Sequence, residues 1–182
     1  MKLCGIDEAG RGPLAGPLVM AGVILNNSIA GLNDSKKLSE KKREALFKLI
    51  LENSDSVVVR FSPEQIDTIG LSACLRMGLE KILEQLPADD YLFDGNSKFG
   101  VSGLRTLVKA DALIPEVSAA SILAKVTRDR EMNELSALYP HYEFAKHKGY
   151  GTAAHVEAIQ QHGLCEIHRK SFKLKVLQPA LF

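Results

Sequence analysis

Two short apolar runs near the beginning of the chain predict a pair of adjacent β-strands. The runs extend from Leu3 to Asp7 and from Pro17 to Leu25, and glycine, arginine and proline are concentrated between them. This pattern predicts a tight turn at Ala9-Gly10-Arg11-Gly12 that joins the two strands. We therefore expect a β-hairpin to open the chain.

Helical and strand patterns alternate over the remaining residues. Apolar residues at helical spacing predict helices over 39–53, 63–86, 115–138 and 153–161, with a break in the second near Gly70. Short apolar segments predict strands at 57–61, 91–94 and 104–109. An antiparallel pair followed by this alternation is typical of an α/β fold in which helices cover both faces of a mixed sheet. No linker divides the chain, so we expect residues 1–182 to form a single domain with a short basic C-terminal segment.

The composition is that of an ordinary globular protein and excludes several other classes. Of the 182 residues, 46% are hydrophobic and 25% are charged, which is too apolar for a disordered segment. No apolar run reaches the length of a membrane span, and Asp7 and Glu8 interrupt the N-terminal stretch before it resembles a signal peptide. Cys4, Cys74 and Cys165 are widely spaced and odd in number, which indicates neither a disulfide framework nor a zinc site. We expect a cytoplasmic protein without membrane association.

Charge is balanced overall but unevenly distributed. The net charge is +1, from 23 basic and 22 acidic residues. Residues 141–182 contain six Lys or Arg, three Glu and all five histidines, so a basic C-terminal segment follows a slightly acidic body. Charge alone favours a solvated surface, and a nucleic-acid partner needs a more specific signal.

Acidic residues follow three of the predicted strands. Asp7 and Glu8 end the first strand, Asp94 ends another, and Asp111 lies just beyond the strand at 104–109. Functional sites of α/β proteins gather at strand ends, and four carboxylates in one cleft would repel one another without a divalent cation. A ligand set made only of oxygens selects Mg²⁺ or Mn²⁺ over zinc. For any single acid of this group, turn formation is the commoner role.

Three loop segments carry groups suited to binding nucleic acid. The glycines of Gly10-Arg11-Gly12 allow backbone N–H groups to approach a ligand closely. The segment 34–37 offers a hydroxyl and two ammonium groups for phosphate, and Tyr150, held between glycines and preceded by cations, could stack on a sugar or base. Each of these segments is also common in turns that bind nothing.

Taken together, six blocks of sequence closely resemble the bacterial ribonuclease HII family. They occur in the family's order from residue 3 to about residue 173, and no single block carries the resemblance. The blocks are Asp7 to Pro17, Leu32 to Leu38, Asp94-Gly95, Ala119 to Asp129, Gly149 to Thr152, and His168 to Phe172.

The resemblance implies a ribonuclease H-like fold, a five-stranded mixed sheet flanked by helices, and an endoribonuclease activity. Members cut the RNA strand of RNA–DNA hybrids or the 5′ side of a single ribonucleotide in duplex DNA. The family's four catalytic, metal-binding acids correspond to Asp7, Glu8, Asp94 and Asp111. Its usual glycine before the fourth acid is replaced by Ala110, so spacing and strand context carry the assignment of Asp111.

The resemblance also implies the substrate contacts. The family's glycine-arginine-glycine turn, whose backbone recognises the ribose 2′-OH, falls on Gly10, Arg11 and Gly12. Its substrate-contacting tyrosine falls on Tyr150, and Lys36 is the expected phosphate contact. The expected partners are RNA–DNA hybrid and ribonucleotide-containing duplex DNA, bound by a monomer; the residues do not identify a sliding-clamp partner.

The mechanism implied by the family is a two-metal one. Two Mg²⁺ or Mn²⁺ ions bridged by a carboxylate, for which Asp7 is the candidate, would activate water for in-line attack and leave a 3′-OH and a 5′-phosphate. The five histidines are then expected in surface, capping or local structural roles. A ribonuclease HIII-like enzyme, which has glutamate as its fourth acid, a resolvase-type nuclease of the same fold and a non-catalytic nucleic-acid binder are the alternatives.

Overall fold

The computed structural model describes residues 1–32 and 37–172 of the chain. Within these residues five strands form one mixed sheet in the order β3-β2-β1-β4-β5. Strand β1 lies at the centre, where it pairs antiparallel with β2 and parallel with β4. This is the α/β architecture that the sequence predicts. The strands are β1 (Leu3–Ala9), β2 (Leu18–Leu25), β3 (Ser54–Phe61), β4 (Asp90–Asp94) and β5 (Arg105–Leu107).

Six α-helices are present in the described part of the chain, and local capping signals set several of their ends. Ser39 and Thr152 each accept a backbone hydrogen bond at a helix N-terminus, and Ser62 forms a capping box with Gln65. The predicted break at Gly70 separates α2 from α3. The helices are α1 (Glu40–Glu52), α2 (Pro63–Ile69), α3 (Leu71–Gln85), α4 (Pro115–Leu138), α5 (Phe144–His147) and α6 (Ala153–His162).

Apolar side chains from alternate positions of the strands form a core on each face of the sheet. On one face, Ile6 and Met20 pack with residues of α2 and α3 such as Leu79. On the other face, Val19, Ala21 and Val23 pack against α1 and α4. The period of two along β2 therefore divides its side chains between the two cores.

The predicted β-hairpin is confirmed, but the tight turn predicted at Ala9 to Gly12 is wrong. The connection between β1 and β2 runs from residue 10 to residue 17 and folds back over the end of α4. Ala15 is fully buried there beside Met132 and Phe144. The loop is long because its backbone hydrogen-bonds to distant parts of the chain, which local turn chemistry cannot indicate.

Helix α4 crosses the sheet in close contact with β1 at Gly5. A Cβ atom placed on Gly5 would lie 2.3 Å from the backbone carbon of Glu116 and 2.3 Å from the nitrogen of Val117. Only glycine allows the first turn of α4 to approach the strand this closely. Since Asp7 lies two residues further along the same face of β1, this contact brings α4 next to the predicted acidic site.

The last predicted strand is shorter than expected. Only Arg105–Leu107 pair with β4, whereas the prediction covered 104–109. Lys109 has a φ of 60°, in the left-handed region, and ends the strand in a short 3₁₀ turn, Ala110–Ala112. Helix α5 and the 3₁₀ turn Pro140–Tyr142 were not predicted, because so few residues show no periodic pattern. No helix in the described residues is long and apolar enough to cross a membrane.

The close contact at Gly5 predicts a large effect on stability. We expect Gly5→Ala to lower the free energy of unfolding by about 1–3 kcal/mol or more, because the new methyl group displaces the backbone of α4. Urea denaturation measures this change. Gly12→Ala is the control, since its Cβ would meet no atom within 4 Å. Equal unfolding midpoints for the two variants would contradict the prediction.

Candidate active site

Three of the four predicted acids come together at the end of β1 and β4. Asp7, Asp94 and Asp111 each offer a carboxylate oxygen, and these oxygens lie within 4.8 Å of one another. The parallel pairing of β1 with β4 places Asp7 and Asp94 at the same edge of the sheet. Asp111 reaches them from the 3₁₀ turn after β5. The spacing argument for Asp111 therefore agrees with its position in the structure.

Backbone donors hold Asp94 in place. Its Oδ1 accepts a hydrogen bond from the N–H of Lys109 at 3.0 Å, and its Oδ2 accepts one from the N–H of Asp111 at 3.2 Å. The left-handed conformation of Lys109 turns both N–H groups toward the carboxylate. The early end of β5 is thus the feature that joins Asp94 to Asp111.

Glu8 lies beside this group and has a different partner. Its Oε1 is 2.6 Å from Nη2 of Arg11, so the arginine of the glycine-rich turn is bound to an acid of the site. The Arg11 guanidinium also lies 5.5 Å from the centre of the Phe99 ring. Among the described residues, Oε2 of Glu8 is buried and accepts no hydrogen bond.

Burial and mutual repulsion favour protonation of these acids. Burial raises the pKa of Asp7 well above its usual value, and the charges of Glu8, Asp94 and Asp111 raise it further. Burial also raises the pKa of Glu8, opposed by the Arg11 charge, and raises the pKa of Asp94. The folded chain therefore stores electrostatic repulsion that a bound cation would relieve.

The residues present fit a hard divalent cation. The group of three contains only carboxylate oxygens, which Mg²⁺ and Mn²⁺ prefer. The buried Oε2 of Glu8 is a further oxygen whose desolvation no hydrogen bond within the described chain offsets. Charge and donor type agree with the predicted metal centre.

The acids open onto a cleft of about 320 Å³ that also includes residues of α4. Ser121, Lys125 and Asp129 line it at intervals of four residues, so they share one face of the helix. Lys125 and Asp129 form an ion pair at 3.2 Å. Sequence reasoning did not assign Ser121 or Lys125, although three polar residues spaced four apart on one face of a helix are a usable signal.

Arg169 holds the Gly10-Arg11-Gly12 turn through hydrogen bonds to its backbone carbonyls. This side chain donates from Nη2 to the carbonyl of Gly10 at 2.5 Å and from Nη1 to that of Arg11 at 3.1 Å. Gly10 has a φ of 94°, and a Cβ there would lie 2.3 Å from Nε of Arg128. Conformation and space both require glycine at this position.

A second buried arginine, Arg128, connects the same loop to Tyr150. It donates hydrogen bonds to the carbonyls of Ala15, Pro17 and Lys148 at 2.8–3.0 Å. Its guanidinium carbon lies 5.6 Å from the centre of the Tyr150 ring, which is 47% exposed at the cleft. Arg128 thus links the loop to the residue before the Gly149-Tyr150 segment through hydrogen bonds to backbone carbonyls.

Histidines support Tyr150 through a hydrogen-bond chain with one direction. The N–H of Cys165 donates to Nδ1 of His168, so Nε2 of His168 carries the proton and donates to Nε2 of His155 at 2.9 Å. His155 then donates from Nδ1 to the carbonyl of Tyr150 at 2.8 Å. Burial, and to a smaller extent the neighbouring His155, lowers the pKa of His168 to about 4. His168 is therefore neutral at pH 7. Both histidines are buried, and their role is structural; the surface roles expected of some histidines do not apply to them.

The structure brings together most of the predicted site residues. Asp7, Glu8, Asp94 and Tyr150 line one cleft, Asp111 completes the acidic group, and the glycine-rich turn is joined to it through Arg11. Lys36, the expected phosphate contact, lies outside the described residues.

The sequence matches a family model described as Ribonuclease HII over residues 4–175. The chain belongs to the ribonuclease HII family. It is 61% identical to the Ribonuclease HII of Sulfurovum sp. (strain NBC37-1) over 181 residues, which cover 99% of this chain and 96% of that protein. Family membership identifies it as a metal-dependent endoribonuclease with ribonuclease H activity on RNA–DNA hybrids, and it decides against the ribonuclease HIII-like, resolvase-type and non-catalytic alternatives.

Solved ribonuclease HII structures share the fold over nearly the whole chain. The enzyme in a PCNA:RNase HII complex from Archaeoglobus fulgidus has a TM-score of 0.83 and 29% identity, covering 100% of this chain and 98% of that one. Ribonuclease H2 from Pyrococcus horikoshii OT3 has a TM-score of 0.76 and 30% identity, covering 95% and 94% of the two chains.

The repulsion among the acids predicts that metal-free protein loses stability as the pH rises. The raised pKa values mean that these acids bind protons more tightly in the folded state than in the unfolded state. The free energy of unfolding therefore falls as the pH rises through those values. We expect Asp7→Asn to raise the Tm in EDTA at pH 8 by about 2–8 °C, the equivalent of roughly 1–2 kcal/mol. It should also reduce the increase in Tm that Mg²⁺ produces.

Differential scanning calorimetry with and without Mg²⁺ tests this expectation. Asp55→Asn, which neutralises an exposed acid on β3, is the matched control and should leave the Mg²⁺-dependent increase unchanged. A lower Tm for Asp7→Asn in EDTA, or a full Mg²⁺ response, would show that Asp7 is not part of a repulsive metal site.

Proposed function

We propose that this chain cleaves the RNA strand of RNA–DNA hybrids and cuts duplex DNA on the 5′ side of a single embedded ribonucleotide. The catalytic and metal-binding residues in this proposal are Asp7, Glu8, Asp94 and Asp111. The observation that supports it best is the group of three aspartates whose oxygens lie within 4.8 Å of one another. The metal in this proposal is Mg²⁺ or Mn²⁺, since the available ligands are carboxylates.

The chain's own residues would position the ions and the substrate. Asp7 is the candidate bridging ligand because it lies at the centre of the sheet and interacts with each of the other acids. Bound by these residues, a pair of divalent cations would supply a water that is nucleophilic at neutral pH and would offset the negative charge on the leaving 3′-oxygen. Among the described residues that line the cleft there is no histidine, so an imidazole base is not part of the proposal.

Two features beside the cleft are proposed to select the substrate. The backbone of Gly10, Arg11 and Gly12 would contact the ribose 2′-OH, and the exposed ring of Tyr150 would press on the adjoining sugar or base. Lys36 is proposed as a phosphate contact on the basis of sequence alone. Arg11 is bound to Glu8, which supports a contribution from the backbone of the turn more than from the arginine side chain.

A cleavage assay with defined duplexes tests the proposed substrate. With Mg²⁺, the protein should cut a duplex containing one ribonucleotide on its 5′ side, give 3′-OH and 5′-phosphate ends, and leave all-DNA duplex intact. Asp94→Asn is the control and should lower the rate by about 10³-fold or more, the equivalent of several kcal/mol of transition-state stabilisation. Cleavage at a 2′-O-methyl position, or products with a 2′,3′-cyclic phosphate, would contradict the proposal.

Tyr150 provides a separate test of substrate selection. Stacking on a sugar or base contributes about 1–3 kcal/mol, so Tyr150→Ala should lower kcat/KM by roughly 5- to 150-fold. The loss should be larger for a single ribonucleotide than for a long hybrid, which offers many 2′-OH groups. Tyr150→Phe keeps the ring and should retain most of the activity. Equal losses on both substrates would indicate that Tyr150 only supports its loop.

A further inference from the structure

Arg169 is a buried cation whose hydrogen bonds are made to backbone carbonyls. Its side chain is 2% exposed, and its three nitrogens donate to the carbonyls of Gly10, Arg11, Gly16 and Pro17 at 2.5–3.1 Å. Burial, followed by the charge of Arg128, lowers its pKa to about 10, so the guanidinium stays charged at neutral pH. A buried guanidinium destabilises the fold unless its N–H groups form hydrogen bonds. For Arg169 these bonds require the 10–17 loop to adopt one conformation.

The direction of these hydrogen bonds fixes the direction of two N–H groups. In a planar trans peptide, the carbonyl of one residue and the N–H of the next point to opposite sides. Within the described residues no peptide bond is cis. Because the carbonyls of Gly10 and Arg11 point toward Arg169, the N–H groups of Arg11 and Gly12 point away from it. Two consecutive donors are thus presented on the opposite side of the turn.

That side of the turn has room for a ligand at Gly12. Gly12 is exposed, and a Cβ placed on it would meet no atom within 4 Å. The side chain of Arg11 is held away toward Glu8 of the catalytic group. The turn that carries both donors is thus joined to an acid of the site through the Arg11 side chain, with open space at Gly12.

Arg169 is itself anchored on both sides. Its own N–H donates to the carbonyl of Leu14 at 2.8 Å. The carboxylate of Asp67, on α2, accepts hydrogen bonds from the N–H groups of Lys170 and Ser171, each at 2.9 Å. The guanidinium lies 5.1 Å from the centre of the Phe172 ring. The position of the guanidinium is consequently set in part by α2 and not by the 10–17 loop alone.

We infer that Arg169 is a positioning residue for recognition of the ribose 2′-oxygen, because it directs the N–H groups of Arg11 and Gly12 to the side of the turn opposite the guanidinium. This inference rests on the proposed function, in which the turn contacts the 2′-OH. Arg169 does not touch the substrate in this arrangement. It acts through the two peptide groups that it holds.

Arg169→Lys tests the inference, because lysine keeps the charge but cannot hold several carbonyls with a planar fork of donors. The measurement is the ratio of Kd values for an all-DNA duplex and for the same duplex with one ribonucleotide. Fluorescence anisotropy gives both values, with Ca²⁺ in place of Mg²⁺ to suppress cleavage. We expect the preference for the ribonucleotide to fall by roughly 5- to 30-fold, the effect of losing well-aimed hydrogen bonds. The Mg²⁺-dependent increase in Tm should persist, since Arg169 contacts none of the three aspartates.

Two further variants separate positioning from stability. Leu79→Ala removes a buried side chain from the core on the α3 side, and it should lower Tm without changing the preference for the ribonucleotide. Asp67→Ala leaves the guanidinium intact but releases the backbone that follows it, and a smaller loss of preference is expected. Asp67→Ala keeps the test decisive if Arg169→Lys fails to fold.

The outcomes distinguish the inference from the proposed function. The inference alone would be overturned if Arg169→Lys kept the wild-type preference. It would also be overturned if the substitution weakened binding of both duplexes equally. A wild-type protein with no preference for the ribonucleotide would overturn the proposed function and this inference with it. A selective loss in Arg169→Lys and Asp67→Ala, absent in Leu79→Ala, would support both.

Discussion

The mutual repulsion of three carboxylates within 4.8 Å is the constraint around which this structure is organised. Like charges at this separation oppose folding, so other interactions in the molecule must hold the acids together. The central position of β1, its parallel pairing with β4 and its close contact with α4 at Gly5 provide that support. A bound divalent cation would relieve the same repulsion.

A second set of charges, of opposite sign, stabilises the loop beside the acids. Arg128 and Arg169 are both buried, and each satisfies its donors with carbonyl groups of residues 10–17 or 148. Carboxylate partners would have added to the negative charge near the site. Backbone carbonyls satisfy the arginines without adding net charge, and they leave the acids to interact with cations and with Arg11.

The sequence predicts the sheet, the longer helices and the positions of the four acids, because these depend on patterns that are local. β2 is a continuous apolar run because both of its faces are buried, and apolar residues recur at helical spacing along α4. The length of the 10–17 loop could not be predicted, since its conformation depends on Arg128 and Arg169, which lie more than 100 residues away. As cations in a basic segment or a polar helix position, both arginines resemble surface residues. The left-handed conformation of Lys109 could not be predicted for a related reason. It is stabilised by hydrogen bonds that the N–H groups of Lys109 and Asp111 donate to the distant Asp94 carboxylate.

The contacts of Arg169 also bear on the order in which the protein is completed during synthesis. Gly10 and Arg169 are 159 positions apart, so the two ends of the described chain must meet before the loop has its final form. Once β1 through α4 have left the ribosome, the five strands of the described residues and all four acids are present. The turn next to them still lacks the side chain that supports it. The acids can therefore come together before the loop beside them has its final conformation, and the segment that carries Arg169 completes that loop.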